Sequence, residues 1–110
     1  MAQALLVDND RIHAELLLQA MRARGVATAW TASIRDAVQR LTRGSASIDL
    51  VALVVSDRLR PWCEILRDLQ EAAWQQGVGE VPSFLVIMRV NFGVEFQLQV
   101  ERMGARIVIE

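Results

Sequence analysis

The chain contains no lysine: all 12 of its basic residues are arginine. Any chemistry that needs a lysine amine is therefore closed to it. Tyrosine is absent too, and the one cysteine, Cys63, stands alone. A single cysteine excludes an intramolecular disulfide and a cysteine-rich zinc site. No apolar stretch approaches the ~20 residues that a membrane-spanning helix needs. Asp8 and Asp10 sit at the first apolar run, where a secretory signal carries no acids. Against 13 acidic residues the arginines leave a net charge of -1, so no basic field is present to hold a nucleic acid. Linkers, low-complexity segments and solenoid-length repeats are also missing. What is present is 53% hydrophobic and 23% charged residues. That is enough for a core, in a chain the size of one ordinary domain of ~100–150 residues. The expectation is a single cytoplasmic domain over residues 1–110 that engages neither nucleic acid nor membrane.

Two periodicities alternate along the chain. Residues 2–7 form a short apolar run, followed by helical spacing of Ile12, Leu16, Leu17, Ala20 and Met21 that Gly25 stops. Val26 to Trp30 reads as a second strand. Ser33 has the character of an N-cap, with Asp36 three residues on, and the stripe of Ile34, Ala37, Val38 and Leu41 runs to Gly44. Ile48 to Ser56 is almost continuously apolar, as a strand covered on both faces should be. Pro61 suits the first turn of the next helix, which carries Trp62, Ile65, Leu66 and Leu69. A loop from Gln75 to Pro82 leads to a fourth strand, Phe84 to Val90. A shorter helix over Phe96, Val100 and Met103 is closed by Gly104, and Arg106 to Ile109 is a fifth strand. Strand and helix alternate four times before that last strand. This pattern predicts a flavodoxin-like, doubly wound α/β fold with five parallel strands in the order 2-1-3-4-5.

In such a fold, ligands gather outside the carboxyl ends of the strands, where strand order reverses. The first strand ends in Asp8-Asn9-Asp10 and the third runs out at Asp57. Their neighbouring positions would bring three carboxylates and an amide to one crevice. Hard oxygen donors suit Mg²⁺, and a carboxylate beside that ion can attack a phosphoryl group. The structural alternative is that such aspartates cap helices, most readily Asp10.

These residues resemble a known family, the receiver domains of two-component response regulators. The resemblance covers nearly the whole chain. It rests on ALLVDND at Ala4 to Asp10, on SDRLRP with Asp57 and Pro61 four residues apart, and on Gly104-Ala105 before the last strand. It implies a stand-alone module in phosphorelay signalling, not an enzyme. Asp57 would accept a phosphoryl group from a histidine kinase or phosphotransfer protein. Mg²⁺ would be held by Asp8, Asn9, Asp57 and the backbone carbonyl of Leu59, with Asp10 a weak contributor. Asn9 in place of an acid lowers the charge available to the metal.

The chain also departs from the family. Met88, Arg89 and Val90 occupy the region where receivers carry a serine or threonine. The lysine after the fifth strand has no counterpart, and an aliphatic such as Ile107 or Val108 replaces the aromatic switch residue. Arg89 is the candidate replacement cation, able to reach Asp57 or a phosphoryl oxygen. The family's last helix is missing, which is expected to leave the first, third and fifth strands partly bare on one face. That face would be covered by a second copy in a homodimer or by a partner chain. A second reading is a phosphorylation-independent pseudo-receiver, an interaction and dimerisation module whose output is contact with a downstream protein. A third, a haloacid-dehalogenase-type phosphatase with an Asp8–Asp10 nucleophile motif, lacks the further acidic pair that chemistry needs. His13, Cys63, Trp30 and Trp74 read as ordinary helix and packing residues, and Trp62 as a reporter five residues after Asp57.

Overall fold

The computed structural model describes residues 3–44, 47–75 and 81–110. The alternation resolves into β1 (Gln3–Val7), α1 (Arg11–Ala23), β2 (Ala27–Thr31), α2 (Ile34–Gly44), β3 (Leu50–Val55), α3 (Trp62–Trp74), β4 (Ser83–Met88), α4 (Val94–Arg102) and β5 (Arg106–Ile109). The strands form one sheet in the order β2-β1-β3-β4-β5. Every pairing is parallel, with Val7 beside Leu53, Val55 beside Met88 and Met88 beside Ile109. Ala2 and residues 76–80, which hold most of the loop expected from Gln75 to Pro82, lie outside the described residues.

Several strand limits differ from the periodicity, for local reasons. β2 begins at Ala27 because Val26 still belongs to the end of α1. Gly25 takes φ +80°, its N–H donates to Arg22 O, and the Val26 N–H donates to Met21 O, closing a Schellman cap. Gly104 at φ +86° builds the same cap on α4 ahead of β5. β4 stops at Met88, so Arg89 and Val90 already lie in the loop. In β3, Ile48, Asp49 and Ser56 fall outside the strand, although the Asp49 N–H still donates to Gln3 O.

Alternate side chains of each strand face opposite layers. Leu5, Val7, Leu53, Val55, Val86 and Met88 join the larger core with α2, α3 and α4. Leu6, Ala52, Val54 and Ile87 meet Ala14 of α1 on the other side. This second layer corrects one expectation. The first and third strands are not bare: Leu6, Ala52 and Val54 are buried. Fully buried Ala14 has no side chain beyond Cβ, so α1 seats closely, and Leu17, Leu18 and Trp30 fill its flanks. Large apolar side chains are exposed on β5, where Val108 is 48% and Ile109 61% accessible, and on α1 at Ile12 and Leu16; Leu59, Trp74, Val81, Val94 and Leu98 are exposed elsewhere. Among the described residues, no helix is long and apolar enough to cross a membrane.

Candidate functional site

Asp8, Arg89 and Glu110 each follow the last residue of a strand. Each continues the alternation that points Leu6, Ile87 and Val108 toward α1. The Asp8 N–H donates to Thr31 O, the Arg89 N–H to Val55 O and the Glu110 N–H to Met88 O, so all three are still held by the sheet. α1 starts directly above them, with Asp10 as its N-cap accepting from the Ile12 and His13 N–H groups through Oδ1. The cap turns His13 back over the strand ends.

The result is a closed charge network. His13 Nδ1 lies 2.5 Å from Asp8 Oδ2, and Nε2 lies 2.7 and 2.8 Å from the two carboxylate oxygens of Glu110. Both ring nitrogens face acceptors, so the ring is an imidazolium that donates twice. Burial on its own would push the His13 pKa down. The bonds to Asp8 and Glu110 outweigh it and lift the pKa above its ordinary value. Asp8 is only 1% exposed, and its other oxygen accepts from the Asp10 N–H. Outside this buried pair, Arg89 donates to Asp10 Oδ2 at 2.9 Å and stands 3.8 Å from Glu110. The Arg89 hydrogen bond, with help from the His13 N–H, holds the Asp10 carboxyl below the usual carboxylate range.

Asp57 belongs to a second group. Its Oδ1 accepts from the Leu59 and Arg60 N–H groups, at 2.9 and 3.2 Å, capping the turn that leads into α3. Its Oδ2 has only the Arg60 guanidinium nearby, at 3.6 Å, and the side chain is 32% exposed. Arg60 also lies over the Trp62 ring, 5.7 Å from its centroid. The Trp62 indole N–H donates to Asp57 O at 2.8 Å, so Trp62 does touch the acid it follows. Asn9 sits between the groups, its Oδ1 accepting from Ser56 Oγ.

The chain superposes over its length on solved structures of response regulator receivers, and also on others of the same architecture, such as a de novo designed Rossmann 2x3 protein (TM-score 0.70 at 12% identity, covering 100% of this chain and 78% of that one). It matches a response regulator receiver domain protein from Clostridium thermocellum with a TM-score of 0.82 at 14% identity, covering 100% of this chain and 82% of that one. The fold is that of a receiver domain. A response regulator receiver protein from Pseudomonas putida gives 0.79 at 16% identity, covering 99% and 85% of the two chains. A response regulator from Burkholderia pseudomallei, crystallised with a phosphorylated aspartic acid, calcium ion and citrate, gives 0.77 at 13%, covering 99% and 59%. No protein-family model and no curated protein matches the sequence.

Set in the receiver fold, the predicted residues separate. Asp8, Asp10 and Arg89 share the His13–Glu110 network, while Asp57 and Leu59 belong to the turn ahead of α3. Arg89 makes its ion pairs with Asp10 and Glu110. Leu59 contributes an N–H to Asp57. Both oxygens of Asp8 and the side-chain oxygen of Asn9 already accept hydrogen bonds within the protein. Asp57 Oδ2 faces the Arg60 guanidinium at 3.6 Å. Among the described residues, no group of three or more His, Cys, Asp or Glu side chains is placed to hold a metal. As arranged, these residues do not fit Mg²⁺, because an internal cation, His13, already neutralises the buried acid. Sequence reasoning missed His13 and Glu110, which lie 97 positions apart. The available signal was the parity of strand-end residues combined with the first turn of the helix that follows.

Proposed function

We propose that residues 1–110 act as one receiver-fold signalling module that works by protein contact, without metal or phosphoryl chemistry, in the cytoplasm. The observation that carries this reading is the His13 ring between Asp8 and Glu110. It fills, with a side-chain cation, the place where a receiver would offer a free acid to a metal. Two further observations support it. Arg89 is engaged with Asp10 and Glu110, and neither Met88 at the end of β4 nor Arg89 and Val90 after it offer a hydroxyl. The partners of this reading are a downstream protein and a second copy of the chain.

A second reading keeps Asp57 as a phosphoacceptor, supported by its outward Oδ2 beside the Arg60 guanidinium. In it, Oδ2 attacks the phosphorus of a phosphohistidine on a histidine kinase or phosphotransfer protein. The P–N bond breaks as the P–O bond forms, and Mg²⁺ dependence is something to be measured. Intact mass after incubation with a small phosphodonor, with and without Mg²⁺, separates the two. The first reading expects no added mass in the folded protein. One added phosphoryl group, lost in Asp57→Asn, would overturn it and establish the second.

A further inference from the structure

β5 is an edge strand. Its register partners all lie in β4, so one side of its backbone is unpaired within the sheet. The direction of each group follows from one bond. The Glu110 N–H donates inward to Met88 O, and in a parallel ladder successive residues point alternately to the two sides. Arg106, Val108 and Glu110 therefore bond toward β4, while Ile107 and Ile109 present N–H and C=O outward. Among the described residues, no partner outside the sheet takes these groups.

The segment Arg106-Ile107-Val108-Ile109-Glu110 reads as its own complement. We propose that β5 pairs edge to edge with β5 of a second copy, antiparallel, about a two-fold axis through Val108. In that register Val108 faces its own counterpart, Ile107 faces Ile109, and Arg106 faces Glu110. The outward groups of Ile107 and Ile109 then fall in the hydrogen-bonded pairs, which exchange both bonds, and Val108 falls in the closer non-bonded pair. On one sheet face the cross-strand pairs are purely aliphatic. On the other, Val108 is flanked at both ends by opposite charges. The parallel alternative would set Arg106 against Arg106 and Glu110 against Glu110, so the charges select one orientation. The exposure of Val108 and Ile109 is what such an edge requires, and the isologous contact closes at a dimer. This inference supplies the second copy named under the proposed function, and it does not depend on whether Asp57 takes a phosphoryl group.

Analytical ultracentrifugation of the unmodified chain tests it, with hydrogen exchange as a local readout. The native chain is expected to sediment as a dimer, with Ile107 and Ile109 amides protected in a concentration-dependent way. Arg106→Glu places like charges at both ends of the pair and is expected to weaken the dimer at least about tenfold. Val108→Cys in a Cys63→Ala background places one thiol opposite its own copy at the two-fold axis and is expected to cross-link the dimer on oxidation. Leu16→Glu, on the exposed side of α1, leaves it intact. A monomer at the hundred-micromolar level would overturn the proposal. So would a dimer indifferent to Arg106→Glu, or one abolished by Leu16→Glu, which would assign the contact to the α1 face.

Discussion

Removing the His13 ring strands a carboxylate where water cannot reach it. In His13→Leu the side chain keeps its bulk but loses both donors. Glu110, with its side chain 42% exposed, finds water in exchange. Asp8 does not, because its side chain is fully buried and keeps only the Asp10 N–H. Breaking a buried ion pair from one side costs ~3–5 kcal/mol, and the solvated Glu110 puts this case at the lower end, ~3 kcal/mol. Against a total of ~5–15 kcal/mol that is a large share. With a urea slope of ~1.5 kcal/mol/M, the midpoint should fall by ~2 M. Adding Asp8→Asn removes the stranded charge and should recover much of the loss, giving a coupling energy above ~1 kcal/mol. The pH dependence has a definite sign. The ring holds its proton more tightly folded than unfolded. Its contribution is complete below the ordinary value of 6.5 and fades as pH rises through the higher folded value. The first bond lost is the one to Glu110, since a neutral ring keeps one N–H for Asp8 and turns a lone pair to the other acid. A midpoint shift below ~0.5 M in His13→Leu would refute the argument. So would native stability that does not change between about pH 6 and pH 9.

Arg89→Ala should let the Asp10 carboxyl titrate upward toward its ordinary 3.8, read by carboxyl carbon shifts. In the native chain the contribution of Asp10 is present above that value and lost as pH falls through its lowered folded pKa, and an unmoved Asp10 titration in the variant would contradict this. Gly104→Ala meets nothing within 4 Å, so its cost is backbone strain alone at φ +86°. That should be ~1–2 kcal/mol, or roughly 4–8 °C of melting temperature per kcal/mol; an unchanged melt would show that the cap relaxes. Burial raises the Cys63 thiol pKa, so its alkylation at about pH 8 should be slower than that of a free thiol in solution.

The strand and helix positions were legible from hydrophobic period, and the strand order from the rules of doubly wound topology. Ile48 to Ser56 could only be a central strand, and Gly25 and Gly104 could only end helices. The site was legible in its address but not in its wiring. Asp8, Asp10, Asp57 and Arg89 all stand at the strand ends, where the doubly wound topology sends them. Which acid pairs with which cation depends on side-chain direction. That in turn depends on strand limits that periodicity leaves uncertain by a residue or two. Arg89 reaches Asp10 because, one residue past β4, it still follows the alternation that points Ile87 toward α1. His13 passed as an ordinary helix residue because its partners come from the first strand and from the far end of the chain.

Trp30 in β2 and Trp62 at the start of α3 have a use beyond packing. The Trp30 indole donates to the backbone carbonyl of Asp8 at 2.8 Å, and the Trp62 indole donates to that of Asp57 at the same distance. Each acid therefore has its own fluorophore bonded to its main chain. Indole emission responds to the polarity and hydrogen bonding around the ring. A Trp62→Phe variant would follow events at Asp8 through Trp30, and a Trp30→Phe variant would follow Asp57 through Trp62, with the half-exposed Trp74 as a constant background. The protein thus carries two optical channels that can tell a change in the buried network from a change at the Asp57 turn, with no added label.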